Sequence, residues 1–507
     1  MSTGPGLPWS LFPDTKRKSD LLVFNDEHEM VGIHKDLDTT IKLEEELMKN
    51  SEKPMTIFQI SLKDERLKLD KLNNVRLIQG SPLSLTISAR KYLMDFNYAF
   101  QCNNWRLEHA VGINVQSIEW DALARSLIDF SPYICVGDFS KFGPRLLTDF
   151  VRNCTFISNK WYEQFDSTTK EDQTVREQLG ERAIDCQNLA FDQIIQLSCG
   201  SPSGAIDTVI KNSICNMQYI RCAWIGIMKE KKPQLSGLHH FKTFVKFVCY
   251  GDDVIFSVKE EVIELFNNET ISEYFAKFGV KYTDADKDGA IRKFCSIEEA
   301  TFLKCGFKLY RNTAVKDGIW ICQPDVKDII DTTNWVRRPK GTPQGANLDH
   351  VLEQAAITNC EDAIKRMWFH GQDRFKEFQS KVQAFWRTQS IQCTLRYFSF
   401  DGLQTDYGFP LKGEVYSYED LLMKAYIQQN GYMSTEDVSD DEENLSTWSN
   451  PQAEIDSRKC LHNQNEEDDC DKGQYKAAIE SGKVVNLYNA NVDWVRAPYI
   501  RHSGIIS

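Results

Sequence analysis

The clearest pattern in the chain is a pair of short apolar runs on either side of a tight turn. Val245-Lys-Phe-Val-Cys-Tyr250 and Val254-Ile-Phe-Ser-Val258 are rich in β-branched and aromatic residues and flank Gly251-Asp252-Asp253. This predicts a hairpin that presents two carboxylates at its tip. A second apolar run, Tyr133-Ile-Cys-Val-Gly, ends at Asp138, so a strand is expected to deliver a carboxylate toward another strand's tip. Gly200-Ser-Pro-Ser203-Gly204 leads into an amphipathic stretch, which predicts a Gly-rich loop opening a helix. Thr208 and Asn212 then share a helix face at i, i+4. Across 131–310, short apolar runs alternate with Gly-bearing turns and amphipathic stretches, the texture of an α+β domain. Residues 315–430 are rich in helix formers and aromatics, including Trp335, Trp368 and Trp386, and read as mostly helical. Residues 1–130 mix helical and strand patterns with basic clusters at Lys16, Arg17 and Lys18 and at Lys63, Arg66, Lys68, Lys71 and Arg76.

The chain has 507 residues, 41% hydrophobic and 26% charged. That is ordinary globular composition and enough length for about three domains. No apolar run approaches the ~18 residues of a membrane span. The 15 cysteines are scattered and never form Cys-x-x-Cys, which argues against a disulfide framework or a zinc ribbon and predicts a reducing, cytosolic setting. The net charge of −13 argues against a nucleic-acid partner until its distribution is considered. Residues 434–472 hold 13 Asp/Glu against 3 Lys/Arg, a balance of −10, so only −3 remains for the rest. That acidic segment reads as a disordered linker, and a basic channel elsewhere stays open.

The paired carboxylates set the candidate chemistry. Adjacent Asp residues invite a divalent cation to offset their repulsion. Two-metal phosphoryl transfer needs carboxylates from separate elements, which Asp138 and the Asp252-Asp253 turn would supply. The loop and helix start at 200–213 suit recognition of a hydroxyl-bearing or anionic ligand. One apparent motif fails. Asp284-Ala-Asp286-Lys-Asp288-Gly289 matches the opening of a calcium-binding EF-hand loop, but the twelfth position, which needs a bidentate Glu, is Cys295.

Taken in order, these segments resemble the motifs of picorna-like viral RNA-dependent RNA polymerases, closest in flavour to those of iflaviruses and dicistroviruses. Asp138 matches the first Asp of motif A, Ser203-Gly204-x3-Thr208-x3-Asn212 matches motif B, and Tyr250-Gly251-Asp252-Asp253 matches motif C. Phe278-Gly279 through Asp286-Lys287 resembles motif D, and Phe302-Leu303-Lys304-Cys305 resembles motif E. Lys63-Asp64-Glu65-Arg66 with Val75-Arg76-Leu77-Ile78 looks like motif F, and Ser2-Thr3-Gly4-Pro5-Gly6-Leu7-Pro8-Trp9 like motif G. The likeness runs from residue 2 to about 400.

The resemblance implies an α+β right-hand polymerase with an antiparallel-sheet palm, partial fingers and a mostly helical thumb. Fingers would span 1–130 with motifs G and F. The palm would span 131–150 (motif A) and 195–314 (motifs B to E), with a fingers/palm insertion at 151–194. The thumb would span 315–433, followed by the acidic segment 434–472 and a tail at 473–507. Asp138, Asp252 and Asp253 would hold Mg²⁺, with Mn²⁺ as a substitute, and Lys287 would act as general acid. Lys63, Arg76, Ser203, Thr208 and Asn212 would bind the nucleotide. Gly4, Gly6, Gly204 and Lys304 would contact RNA. The implied partners are RNA template and primer, ribonucleoside triphosphates, a genome-linked protein primer and other viral replication proteins. The implied setting is the host cytoplasm, at membrane-associated replication complexes. There are departures. The chain begins almost inside motif G, which predicts an N-terminally truncated fragment. The second motif A Asp is replaced by Gly143, and Pro144 after it predicts a differently shaped backbone there. Motif E has Cys305 where Arg is common. A catalytically silent RNA-binding fragment and a reverse-transcriptase-like palm polymerase are the competing expectations.

Overall fold

The computed structural model describes residues 3–63, 75–165, 168–184, 186–285, 291–336, 347–389 and 394–430. Lys287 and the acidic segment therefore lie outside the described residues. A short hairpin, β1 (Leu22–Phe24) and β2 (Met30–Ile33), precedes helix α1 (Lys35–Lys49). Strands β3 (Ile57–Leu62) and β4 (Leu77–Gly80) pair antiparallel. Helices α2 (Leu83–Cys102) and α3 (Ile118–Ile128) follow. Next come β5 (Ile134–Phe139), the one-turn α4 (Phe142–Arg145), α5 (Thr148–Tyr162) and α6 (Lys170–Ala183). Strands β6 (Cys186–Ala190) and β7 (Gln193–Leu197) then return to the first sheet. β6 pairs parallel with β3, giving the order β4-β3-β6-β7.

The long helix α7 (Thr208–Lys231) and short α8 (Leu238–Phe244) lead into β8 (Val245–Tyr250) and β9 (Asp253–Val258). The last turn of α7 carries Lys229 and Lys231, which suit the negative end of its dipole. After α9 (Glu260–Ile263) and α10 (Asn268–Ala276), β10 (Tyr282–Asp284) completes an antiparallel sheet of order β10-β5-β9-β8. This sheet is covered on both faces. Cys135, Phe139, Val254, Phe256, Phe247 and Cys249 pack with α7, α8 and α10 around Tyr219, Trp224, Phe241 and Phe275. Their alternate neighbours Ile134, Val136, Ile255 and Val248 pack with α3 against Trp120 and Leu123. The period of two sorts residues between the layers, and burial on both faces explains why the flanking runs of the predicted hairpin look almost uniformly apolar. Each apolar side chain so buried, such as Phe241, stabilises by roughly 1.5–3 kcal/mol.

A third sheet, β11 (Thr301–Phe302), β12 (Cys305–Tyr310) and β13 (Ile319–Pro324), joins the second layer. Helices α11 (Val326–Thr332), α12 (Leu348–Met367), α13 (Gln372–Arg387), α14 (Phe400–Asp406) and α15 (Tyr418–Asn430) follow. Their centre is Trp368, stacked between Phe400 and Phe409 at 5.2 and 5.6 Å. Its indole N–H donates to the Phe400 carbonyl at 2.9 Å. α15 is tied back to α3 through the buried Asp121 carboxylate. Asp121 accepts from the Trp320 amide and the Arg125 Nε, both at 2.7 Å, and from the Tyr418 hydroxyl.

Residues 108–110 form the junction between α2 and the central sheet. Cys249 N–H donates to the Glu108 carbonyl at 3.1 Å, and Ala110 N–H donates to the Cys249 carbonyl at 2.8 Å. His109 between them is fully buried, stacked on Phe100 at 3.7 Å, and accepts from the Val111 amide at Nδ1. Burial pushes its pKa down to about 3. Between that value and the ordinary ~6.5, only the unfolded chain binds the proton, so stability falls as pH falls through this window. From pH 7 to 5 this group alone should cost about 2 kcal/mol. Denaturant melts of wild type and His109→Gln at both pH values check it: the pH dependence should shrink in the variant, and an unchanged dependence would refute the assignment.

Candidate active site

The turn between β8 and β9 is built as the sequence pattern predicts. Tyr250 pairs with Asp253, which leaves Gly251 and Asp252 at the tip. Gly251 has φ of +63° and open space around its α-carbon, so the backbone conformation itself asks for glycine. In the pairing of β5 with β9, Gly137 faces Val254. One step further along that register, Asp138 lies opposite Asp253 on the same face. Asp138 is buried at 8% exposure, Asp253 is half-buried and Asp252 is exposed. Among the described residues, no three His, Cys, Asp or Glu side chains are gathered closely enough to hold an ion. The donors on offer at this end of the sheet are carboxylate oxygens, which suit a hard cation such as Mg²⁺ or Mn²⁺.

Above the turn is a cavity of about 660 Å³. Tyr250, Gly251, Asp252 and Asp253 line it, together with Ser203, Thr208, Val209 and Asn212 from the α7 start. Leu303 and Lys304 and the pair Ile113 and Val115 close its sides. Leu303 and Lys304 form the two-residue turn between β11 and β12, with φ of +52° and +61°. Both are left-handed, at positions where Asn-Gly is usual. Holding two ordinary residues there costs on the order of 1–2 kcal/mol each, a strain that places Lys304 at the cavity wall.

The loop before α7 is fixed from two directions. Thr208 Oγ1 lies 2.8 Å from the Pro202 carbonyl and 2.7 Å from the Ala205 carbonyl, so it closes its own loop. Ser203 Oγ accepts from the Gln79 amide of β4 at 3.0 Å, and the Ser203 amide donates to Gln79 Oε1 at 3.4 Å. Gly204 packs so closely that an added Cβ would lie 2.1 Å from the Gln79 carbonyl oxygen. Gly6 is buried and similarly tight, 2.5 Å from the Ser81 carbonyl oxygen by the same measure, whereas Gly4 is exposed. Lys63 and Arg76 face each other at the open end of β3–β4, with the Lys63 amide donating to the Arg76 carbonyl at 2.8 Å. Neither lines the cavity. β4 thus links Arg76, just before its first residue, to the Gln79 contact with Ser203.

Asn212 faces Gly143. A Cβ built on Gly143 would meet only Asn212 Nδ2, at 3.9 Å. The backbone at Gly143, which Pro144 predicts to be differently shaped, is one turn of helix, and a Cβ there would be accepted facing Asn212. Asn212 Oδ1 has no hydrogen-bond partner within the protein.

Two polar residues of α7 escaped the sequence reading. Ser213 and Asn216 are wholly buried on a helix face that is otherwise apolar, and a polar residue in such a setting is the signal that marks them. Both bond to Gly251.

A family model described as viral RNA-dependent RNA polymerase matches residues 1–383. The genome polyprotein of Deformed wing virus is 32% identical over 357 residues, covering 69% of this chain and 12% of that polyprotein. The replicase polyprotein of Drosophila C virus (strain EB) is 26% identical over 400 residues, covering 76% of this chain and 22% of that polyprotein. The chain therefore spans under a quarter of the length of these relatives. Among solved structures, the Sicinivirus 3Dpol RNA dependent RNA polymerase has a TM-score of 0.61 at 18% identity, covering 85% of this chain and 77% of that one. That is a likeness of fold.

Proposed function

Because this chain belongs to the viral RNA-dependent RNA polymerase family, we propose that it extends an RNA primer on an RNA template by transferring nucleotidyl groups from ribonucleoside triphosphates. The observation that carries this reading is the convergence of Asp252, Asp253, Asn212, Ser203, Thr208 and Lys304 on one cavity. Members of the family use divalent metal ions, and Asp138, Asp252 and Asp253 are the residues we assign to hold them here. Bound there, such ions supply Lewis acidity toward the primer 3′-hydroxyl and charge neutralisation at the departing pyrophosphate.

The protein's own groups do the rest. The buried Asp138 and the turn carboxylates set up a fixed negative field on one face of a rigid sheet, which needs no reorganisation as charge moves. Lys63 and Arg76 bring a point charge and a planar fork to the triphosphate from the β3–β4 side. Asn212 offers the ribose an amide, Ser203 and Thr208 hold the loop that shapes that wall, and Lys304 meets the primer backbone. Lys287, outside the described residues, is assigned the proton donated to the leaving pyrophosphate. Among the described residues no helix is long and apolar enough to cross a membrane; attachment to replication complexes in the host cytoplasm would then run through partners or surfaces.

Primer extension on a primed homopolymer template, with labelled ribonucleotide and Mg²⁺, tests the reading. Template-dependent incorporation supports it. Binding of RNA without incorporation would favour a silent fragment, and preference for deoxynucleotides would favour a reverse-transcriptase-like enzyme. Within this assay, Arg76→Ala should raise the nucleotide KM roughly tenfold, the scale of one charge-assisted hydrogen bond, with little change in RNA affinity. Weakened RNA binding at an unchanged nucleotide KM would move Arg76 to the template channel.

A further inference from the structure

We propose that Ser213 and Asn216 are positioning residues that fix the orientation of the Asp252 carboxylate by clamping the glycine before it. The inference rests on the metal-binding role given to Asp252 above. Gly251 is the least constrained kind of residue at the most demanding place in the site: it sits at φ of +63° with nothing within 4 Å of where a Cβ would be. Left to itself, such a residue rotates freely about both backbone torsions. Here both flanking peptides are held. The Gly251 amide donates to Ser213 Oγ at 2.9 Å, which fixes the peptide before it. The Gly251 carbonyl accepts from Asn216 Nδ2 at 2.8 Å, which fixes the peptide after it, the one that carries Asp252.

The clamp is itself directional. Ser213 Oγ donates its proton to the Val209 carbonyl of its own helix at 2.8 Å, so a lone pair is left to face Gly251. The Ser213 carbonyl in turn accepts from the Cys249 thiol at 3.4 Å, a further tie between α7 and β8. Ser213 and Asn216 are both 0% exposed, so water does not compete for either bond. They stand three residues apart on one face of a 24-residue helix. Asn212 and Asn216 lie one turn apart on that same helix. One rigid element therefore sets the distance between the amide assigned to the ribose and the turn assigned to the metals. Sites of this kind tolerate displacements of only about 0.5 Å, and a misplacement of about 1 Å can cost 100-fold in rate.

The test measures metal affinity apart from activity. Free Mn²⁺ is followed by electron paramagnetic resonance as it is titrated into the whole chain. The Mg²⁺ concentration for half-maximal primer extension is measured alongside. Ser213→Ala and Asn216→Leu should each raise both values about three- to tenfold, the worth of one lost hydrogen bond, with nucleotide KM at saturating Mg²⁺ within twofold of wild type. Ser213→Thr keeps the hydroxyl and should retain the wild-type Mn²⁺ affinity even if its extra methyl lowers the melting temperature. Ile220→Ala, fully buried on the same helix, should lose stability with no change in Mn²⁺ affinity. If Ser213→Ala and Asn216→Leu behave like Ile220→Ala, the clamp is wrong. Failure of both to fold while Ile220→Ala folds would also overturn it, since they would then hold the fold and not the turn. Asp252→Asn in the same titration separates the two claims. Loss of Mn²⁺ binding there, with Ser213→Ala unaffected, sinks the clamp alone. Wild-type Mn²⁺ binding by Asp252→Asn sinks the metal assignment beneath it.

Discussion

Asp252→Asn is expected to fold as the wild type does and to fail to extend a primer. Asp252 is exposed at the tip of a turn, and neither core layer includes it. The change keeps its size and removes only a charge, so stability should move by less than about 0.5 kcal/mol. Catalysis should suffer far more. An amide is a poor ligand for a hard cation, and the carboxylate's field is needed where charge develops. Extension should fall at least about 1,000-fold, on the order of 4 kcal/mol of transition-state stabilisation. Circular dichroism and a thermal melt establish folding, and single-turnover extension with Mg²⁺ reads the loss. A folded variant with undiminished extension would remove Asp252 from the chemistry.

The second large effect concerns sugar choice. Asn212 lines the cavity, its side-chain oxygen is buried with no protein partner, and its Nδ2 faces a glycine that contributes no side chain. A site that hydrogen-bonds a hydroxyl rejects the analogue lacking it, because its polar groups are left unpaired. Asn212→Ala should therefore lower kcat/KM for ribonucleotides about 10- to 100-fold, with deoxynucleotides little affected. Gly143→Asp should fold, since the space facing Asn212 Nδ2 accepts a side chain, and should keep the ribose preference at or above the wild-type ratio. Paired ribo- and deoxynucleotide kinetics on the three proteins decide the matter. An unchanged ratio in Asn212→Ala would strip that residue of ribose sensing.

What could be read from the chain depended on how local the determining contacts are. The β8–β9 hairpin was legible because two β-prone runs and a glycine with a required left-handed φ lie within 14 residues. The start of α7 was legible from small residues giving way to helical spacing. The pairing of β3 with β6 was not, since nothing near Ile57 announces a partner at Gln187. The Leu303–Lys304 turn was hidden for a different reason: its residues contradict its conformation, and the surrounding β12–β13 ladder imposes what they would not choose. Ile113 and Val115 reached the cavity wall by a bridge between residue 109 and Cys249 that no spacing rule reveals. The shape of the Gly143 backbone was not legible in detail, because proline's restriction on its predecessor is a tendency, and Gly143 stands in a one-turn helix despite Pro144.

The parallel pairing of β3 with β6 also dictates a timetable. Ile57 and Gln187 are 130 residues apart. At about 5–20 residues per second, a ribosome needs roughly 6–26 s to make the stretch between them. A hairpin forms in about 1–10 μs, so β4 covers one edge of β3 as soon as it emerges. The other edge, with its Ile57-Phe58 start, stays open for those seconds and is a template for pairing with another chain. Slower elongation lengthens that interval, and a warmer or more crowded cell makes each second of it more dangerous. The earliest strand of this sheet must wait for the strand that protects it.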